Sequence, residues 1–134
     1  METIFVDTAA WVALANRSDA HHREAVEIFK DLHMRCQFLT TNLVVAETYI
    51  LLRRALGHTA AMTFLDSIET SPRTTKVLSN EATEASAIEI LRKCTDQDYS
   101  YTDAVSFATM HANNIQRAFT FDQHFSSAGF LRIP

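Results

Sequence analysis

The chain has 134 residues, 47% of them hydrophobic, and a formal net charge of −4. That is the size of one domain, residues 1–134, around one compact core, and the charge argues against a broad basic surface that coats nucleic acid. Two glycines in the whole sequence leave no material for a GxGxxG turn or a Walker-type loop, which use glycine to bring backbone N–H groups against phosphate.

Thr3-Ile4-Phe5-Val6 reads as a buried strand and Ala9 to Ala15 as a helical turn or two. His21 to Met34 carries Ala25, Ile28, Phe29 and Leu32 at helical spacing, and a short strand is expected near Gln37-Phe38-Leu39-Thr40. Leu43 to Leu56 is a strong helix with Arg53 and Arg54 in its last turn and Gly57 placed to cap it. A further helix from Thr59 to Ile68 stops before Ser71-Pro72. Thr74 to Leu78 is β-branched and apolar, Asn80-Glu81 opens an alanine-rich helix to Lys93, and Ser100 to Asn113 is another helix. Ala118 to Phe121 and Phe130 to Ile133 are the last strands, with an extra turn between them. The order β-α-β-α-α-β-α-α-β-β predicts a three-layer α/β/α fold with a central, mainly parallel sheet of four or five strands. Cys36 and Cys94 have no CxxC spacing and read as two reduced thiols. No stretch reaches the roughly 20 apolar residues of a membrane span, and Met1-Glu2-Thr3 lacks the basic start of a signal peptide, so the cytoplasm is the expected location, with no membrane partner.

Ligands of open parallel sheets gather beyond the carboxyl ends of the strands, so acidic residues there carry information. Asp7 closes Ile4-Phe5-Val6, although it also suits the N-cap of the next helix. Asp122 closes the strand at 118–121, although it also suits a turn before His124-Phe125. Glu47 falls on a helical stripe with Leu43, Ile50, Leu51 and Arg54, read as the apolar face until the last turn, and Arg54 is seven residues away where ion pairs favour three or four. Asp103 completes the capping box Ser100-x-x-Asp103 and thereby lies at a helix start. Asp98 reads as a solvated loop residue. If four carboxylates meet, each pair about 4 Å apart repels by about 1 kcal/mol in water and about 4 kcal/mol at a protein-like dielectric. Protonation or a cation must relieve that, and an all-oxygen site suits Mg²⁺, or Mn²⁺ as a substitute, better than zinc.

The segments "FVDTAAW", "TTNLVVAETY", "DYSYTDAVSFA" and "AFTFDQHFSSAGF" resemble, in order and spacing, the motifs of PIN-domain nucleases, and in particular the VapC-type toxins of bacterial toxin–antitoxin pairs. The resemblance spans nearly the whole chain and maps the family's acidic quartet onto Asp7, Glu47, Asp103 and Asp122. Thr8 resembles the hydroxyl residue that often follows the first aspartate, and Ser100 and Ser106 occupy polar positions around the third. The resemblance implies a Mg²⁺-dependent endoribonuclease acting through metal-activated water, a small cognate antitoxin and a homodimer.

His124, two residues after Asp122 as is typical of the resembling toxins, reads as a hydrogen-bonded loop histidine rather than a ligand. His21-His22 reads as a solvated helix start, and His33, His58 and His111 form no metal motif. Arg17, Arg53, Arg54 and Arg117 are candidates for a basic rim that meets RNA, against which Arg53 and Arg54 equally suit a helix C-terminus. Trp11 and Tyr49 read as core or interface. Two other classes fit an acidic α/β domain of this length. One is a phosphorelay receiver, with Lys76 as its candidate lysine inside a strand pattern. The other is a non-catalytic binding module whose acids are caps and surface charges.

Overall fold

The computed structural model describes residues 1–134. In chain order the elements are β1 (Glu2–Val6), α1 (Thr8–Ala15), α2 (His22–Leu32), β2 (Cys36–Thr41), α3 (Asn42–Leu56), α4 (His58–Thr70), β3 (Thr74–Val77), α5 (Glu81–Lys93), α6 (Tyr101–Ala112), β4 (Arg117–Phe119), α7 (His124–Ser127) and β5 (Leu131–Ile133). Two separate helices fill the first crossover where the sequence order counts one helical unit. The extra turn expected before the last strand is α7. No helix is long and apolar enough to cross a membrane.

All five strands are parallel, in the order β3-β2-β1-β4-β5. The chain starts in the centre, runs outward through β2 and β3, then crosses back to lay β4 on the other side of β1. Right-handed crossovers leaving β1 in opposite directions put their helices on opposite faces. Helices α1 to α4 accordingly pack among themselves, α5 packs on α6, and α7 touches α6. This is the expected three-layer sandwich. The direction of winding reverses between β1 and β4, and that crevice is where open α/β sheets take ligands. A phosphorelay receiver has the order 2-1-3-4-5, so the observed order removes that alternative; Lys76 lies on edge strand β3 and pairs with Glu69 at 2.9 Å.

The central strands are buried on both faces, as sheets covered by two helical layers require. Ile4, Phe5, Val6, Ala118 and Phe119 are fully buried. Under β4, Phe125 of α7 packs on Phe107 at 5.0 Å, edge to face, and 6.2 Å from Phe5. Thr40 ties β2 to its neighbours, its hydroxyl donating to Val6 O at 3.0 Å and accepting from Trp11 Nε1 at 3.4 Å. Helix ends follow their cap residues. Asn80 Oδ1 accepts from Thr83 N at 2.9 Å, and Gly57, at φ +96°, ends α3 in a region that favours glycine. Cys36 and Cys94 are free thiols, the first buried.

Helix α3 corrects the sequence reading. Its buried face is Val44, Val45, Thr48 and Leu52, whereas Ile50 and Leu51 are exposed and Glu47 half-buried. The stripe through Leu43, Glu47, Ile50 and Leu51 flanks the core, because Val44 and Val45 outweigh it against β2 and α1. Strand β4 is also shorter than expected. The strand ends at Phe119, with the Thr120 amide still donating to Ile133 O at 3.0 Å, so Asp122 lies three residues past the strand and not at its tip.

Phe125 is the anchor that holds the segment after β4 against the sheet. Phe125→Ala is expected to lower unfolding free energy by about 3–5 kcal/mol, read by chemical denaturation. A loss below about 1 kcal/mol would mean that α7 is held by its hydrogen bonds instead.

Candidate metal centre

Beyond the carboxyl ends of β1 and β4 lies an open cleft of about 240 Å³ whose lining includes Asp7, Thr8, Glu47, Asp103 and Asp122. Four elements deliver the four acids. Asp7 follows β1, Glu47 projects from the second turn of α3, Asp103 from the first turn of α6, and Asp122 from the segment between β4 and α7. No lysine or arginine lines the cleft.

Asp7 stands at the N-cap position of α1, yet its side chain makes no capping bond. It is 4% exposed, and its Oδ2 accepts from the Thr120 hydroxyl at 3.0 Å. The same hydroxyl accepts from the Asp122 amide at 3.0 Å. Thr120 therefore fixes the spacing between the first and last acids. Sequence reading passed over it as a strand residue. The signal was a hydroxyl between two phenylalanines, Phe119 and Phe121, which alternation turns inward at the end of a buried strand.

Asp103 behaves as its capping box requires. Ser100 Oγ accepts from the Asp103 amide and Asp103 Oδ2 accepts from the Ser100 amide, both at 3.0 Å. That oxygen also lies 3.1 Å from His124 Nδ1, and none of the hydrogen bonds within the protein falls on Oδ1. The cap thus uses one oxygen of the carboxylate and leaves the other without a partner in the protein. Asp122 Oδ1 accepts from the His124 amide at 2.9 Å. His124 is the first residue of α7 rather than a loop residue, and ligand atoms of Asp103, Asp122 and His124 lie within 4.8 Å of one another. Asp98 is exposed outside the group.

The electrostatics show strain without relief. Burial pushes the Asp7 carboxyl up to about 7, with Asp103 and Asp122 adding repulsion and the Thr8 amide and Thr120 hydroxyl opposing. Glu47 is raised by burial and by the same two aspartates, against the nearby Thr102 hydroxyl. Thr8 Oγ1, which lines the cleft, and Ser106 Oγ are buried without a hydrogen-bond partner. Carboxylates that raise one another's proton affinity, beside an unused hydroxyl, are a donor set that fits a hard divalent cation.

None of the four arginines expected to form a basic rim lines the cleft. Arg117 begins β4, at the opposite end of the strand from the cleft, and pairs with Glu2 at 2.8 Å. Arg17, Arg53 and Arg54 are exposed and outside every ion pair. The His21-His22 pair starts α2 as expected, with His21 exposed and His22 half-buried. His22 Nδ1 lies 2.7 Å from Ala13 O, and His21 lines the cleft and stacks on Phe121. Trp11 is core and Tyr49 packs against it.

Comparison with known proteins places this geometry. The PIN domain model matches residues 4–131. The chain is 38% identical over 131 residues to the 23S rRNA-specific endonuclease VapC20 from two strains of Mycobacterium tuberculosis, covering 97% of both chains. The crystal structure of M. tuberculosis VapC20, described as a sarcin-ricin loop cleaving toxin, superposes with a TM-score of 0.91 at 37% identity, over 97% of this chain and 98% of that one. FitAcB from Neisseria gonorrhoeae shares the fold at 16% identity and a TM-score of 0.68, over 98% of this chain and 96% of that one. With the family model spanning almost the full length and the acidic cleft at the reversal of the sheet, the chain belongs to the PIN domain family.

Proposed function

We propose that the protein is a metal-dependent endoribonuclease, the toxin of a toxin–antitoxin pair, with Asp7, Glu47, Asp103 and Asp122 as its catalytic and metal-holding residues. The observation that carries the reading is the convergence of these carboxylates from four elements on one cleft with no lysine or arginine in its lining. The VapC20 relatives support an RNA substrate, and a loop of 23S rRNA is the first to try.

When bound, a divalent cation supplies an activated water near neutral pH and neutralises charge at the phosphate. Mg²⁺ is the proposed ion and Mn²⁺ its substitute, since the donors are oxygens. Asp7, held by Thr120, and Asp103, held by its capping box, are fixed in place before any ligand arrives. Asp122 is fixed by the His124 amide. Glu47 holds a proton more tightly than an ordinary glutamate and faces the same cleft, which suits it to take the proton that the attacking water gives up. Water adds to phosphorus, one P–O bond to ribose breaks, the leaving ribose oxygen takes a proton from solvent, and no side chain bonds covalently to the substrate.

The proposed partners follow the same reading. A small antitoxin and a second copy of this chain both require apolar surface, and Ile50, Leu51, Leu56 and Met62 of α3 and α4 are exposed. Trp11, Leu14, Phe29 and Phe64 also line an open groove of about 500 Å³. The cytoplasm is the proposed location.

Purified protein is expected to cleave a structured RNA with Mg²⁺ or Mn²⁺ and to stop when EDTA is added. Asp7→Asn is expected to lower the rate by about a hundredfold or more, beyond the effect of losing an outer-shell partner. Full activity in that variant would remove Asp7 from the chemistry, and activity in EDTA would remove the cation.

Asp7 also predicts a pH dependence. Its folded value of about 7 lies above the ordinary 3.8, so the folded chain binds the proton more tightly than the unfolded one. Stability from this group is therefore present at acid pH and lost as pH rises from about 4 to about 7. In EDTA the melting temperature should fall over that range, with a shallower slope in Asp7→Asn. The apparent affinity for Mn²⁺ should rise over the same range as metal displaces the proton. Identical slopes in the two proteins would show that Asp7 is ionised in the ion-free fold.

A further inference from the structure

The loop between α1 and α2 brings an aromatic ring to the acidic cleft. His21 is exposed, lines the cleft, and lies flat on Phe121 with ring centroids 4.3 Å apart and planes 10° from parallel. Phe121 is half-buried, adjoins Asp122, and meets Phe119 of β4 edge-on at 6.2 Å, so the lower ring is anchored to the sheet. The loop is pinned on both sides of His21. Asn16 Oδ1 accepts from the Ser18 amide at 3.0 Å, Asp19 Oδ1 accepts from the His21 amide at 2.8 Å, and His22 Nδ1 lies 2.7 Å from Ala13 O.

Nothing internal employs the His21 side chain apart from that stack. It makes no capping bond at the start of α2, and its ring nitrogens make no hydrogen bond within the protein. One face rests on Phe121, and as an exposed ring it turns the other to solvent beside the carboxylates. The rest of the cleft lining offers carboxylates and aliphatic groups such as Val12 and Leu51, with no arginine or lysine for phosphate. Beside a bound cation, a contact indifferent to charge would add affinity for a polyanion at this point. Base stacking on aromatic rings is such a contact, and proteins that read RNA loops use it on unpaired bases.

We propose that the stacked His21–Phe121 pair is a platform for an unpaired nucleobase next to the scissile phosphate, and thus a positioning element for substrate RNA. The proposal rests on the ribonuclease reading above. A base stacks on the outer face of His21, and Phe121 holds that ring at a fixed distance from Asp122.

The test is steady-state cleavage, by the full chain, of an RNA stem-loop that the wild type cuts. His21→Ala should raise KM by about five- to a hundredfold, the worth of one stacked base, and leave kcat within about twofold. His21→Phe, which restores a flat ring without imidazole chemistry, should return KM toward the wild-type value. An unchanged KM in His21→Ala overturns the platform, as does a His21→Phe variant as impaired as His21→Ala. A loss confined to kcat also overturns it, because the ring would then act on the chemical step. Wild-type protein that cuts no RNA overturns the ribonuclease reading itself and the platform with it, an outcome distinct from the other three.

Discussion

A carboxylate buried at the end of the central strand is the constraint around which the structure is arranged. Asp7 is almost out of contact with solvent, and other acids surround it where a cation would be expected. Such a group is unfavourable in proportion to its desolvation. The protein offsets this with one hydroxyl, that of Thr120, and with the nearby Thr8 amide. The remaining imbalance is written into the site as a raised proton affinity. The acidic cleft is thus held at strongly negative potential by the packing of the sheet, which a divalent cation would relieve.

The topology makes that arrangement possible. Because β1 is central and the chain winds away from it in both directions, the ends of β1 and β4 share one crevice, and α3 and α6 touch above it. Three of the four acids are then locked by local devices that would exist without any ligand. Thr120 joins Asp7 to Asp122, Ser100 boxes Asp103, and the first turn of α7 ties Asp122. Phe125 beneath them connects the site to the core through Phe107 and Phe5. The geometry is a by-product of ordinary helix capping and aromatic packing applied where four chain segments cross.

Much of this was legible in the residues. Apolar runs and cap residues gave the elements nearly in full, as with the Ser100–Asp103 box, Asn80 and Gly57. Short strands were overextended, because Thr120 and Phe121 have strand-like side chains although the strand ends at Phe119. The face of α3 was misassigned for a related reason. Counting apolar residues by three and four cannot tell which of two adjacent stripes meets the sheet, and Val44 with Val45 won over Ile50 with Leu51. Glu47 drew attention on the premise that its stripe was buried; in fact it stands at the border of the core, where a side chain reaches the cleft. Thr120 was passed over and His21 read only as a helix start, because the partner each one meets is distant in sequence, Asp7 in one case and Phe121 in the other.

Asp103 closes the first turn of α6 through Oδ2 and leaves Oδ1 free of hydrogen bonds within the protein. Neutralising it weakens the capping box that starts a helix. Asp7 has the opposite character, since taking away its charge relieves the fold. An inert decoy of this protein, made to trap its RNA or to co-purify an inhibitor without harming the host, is therefore better built at the first aspartate than at the third.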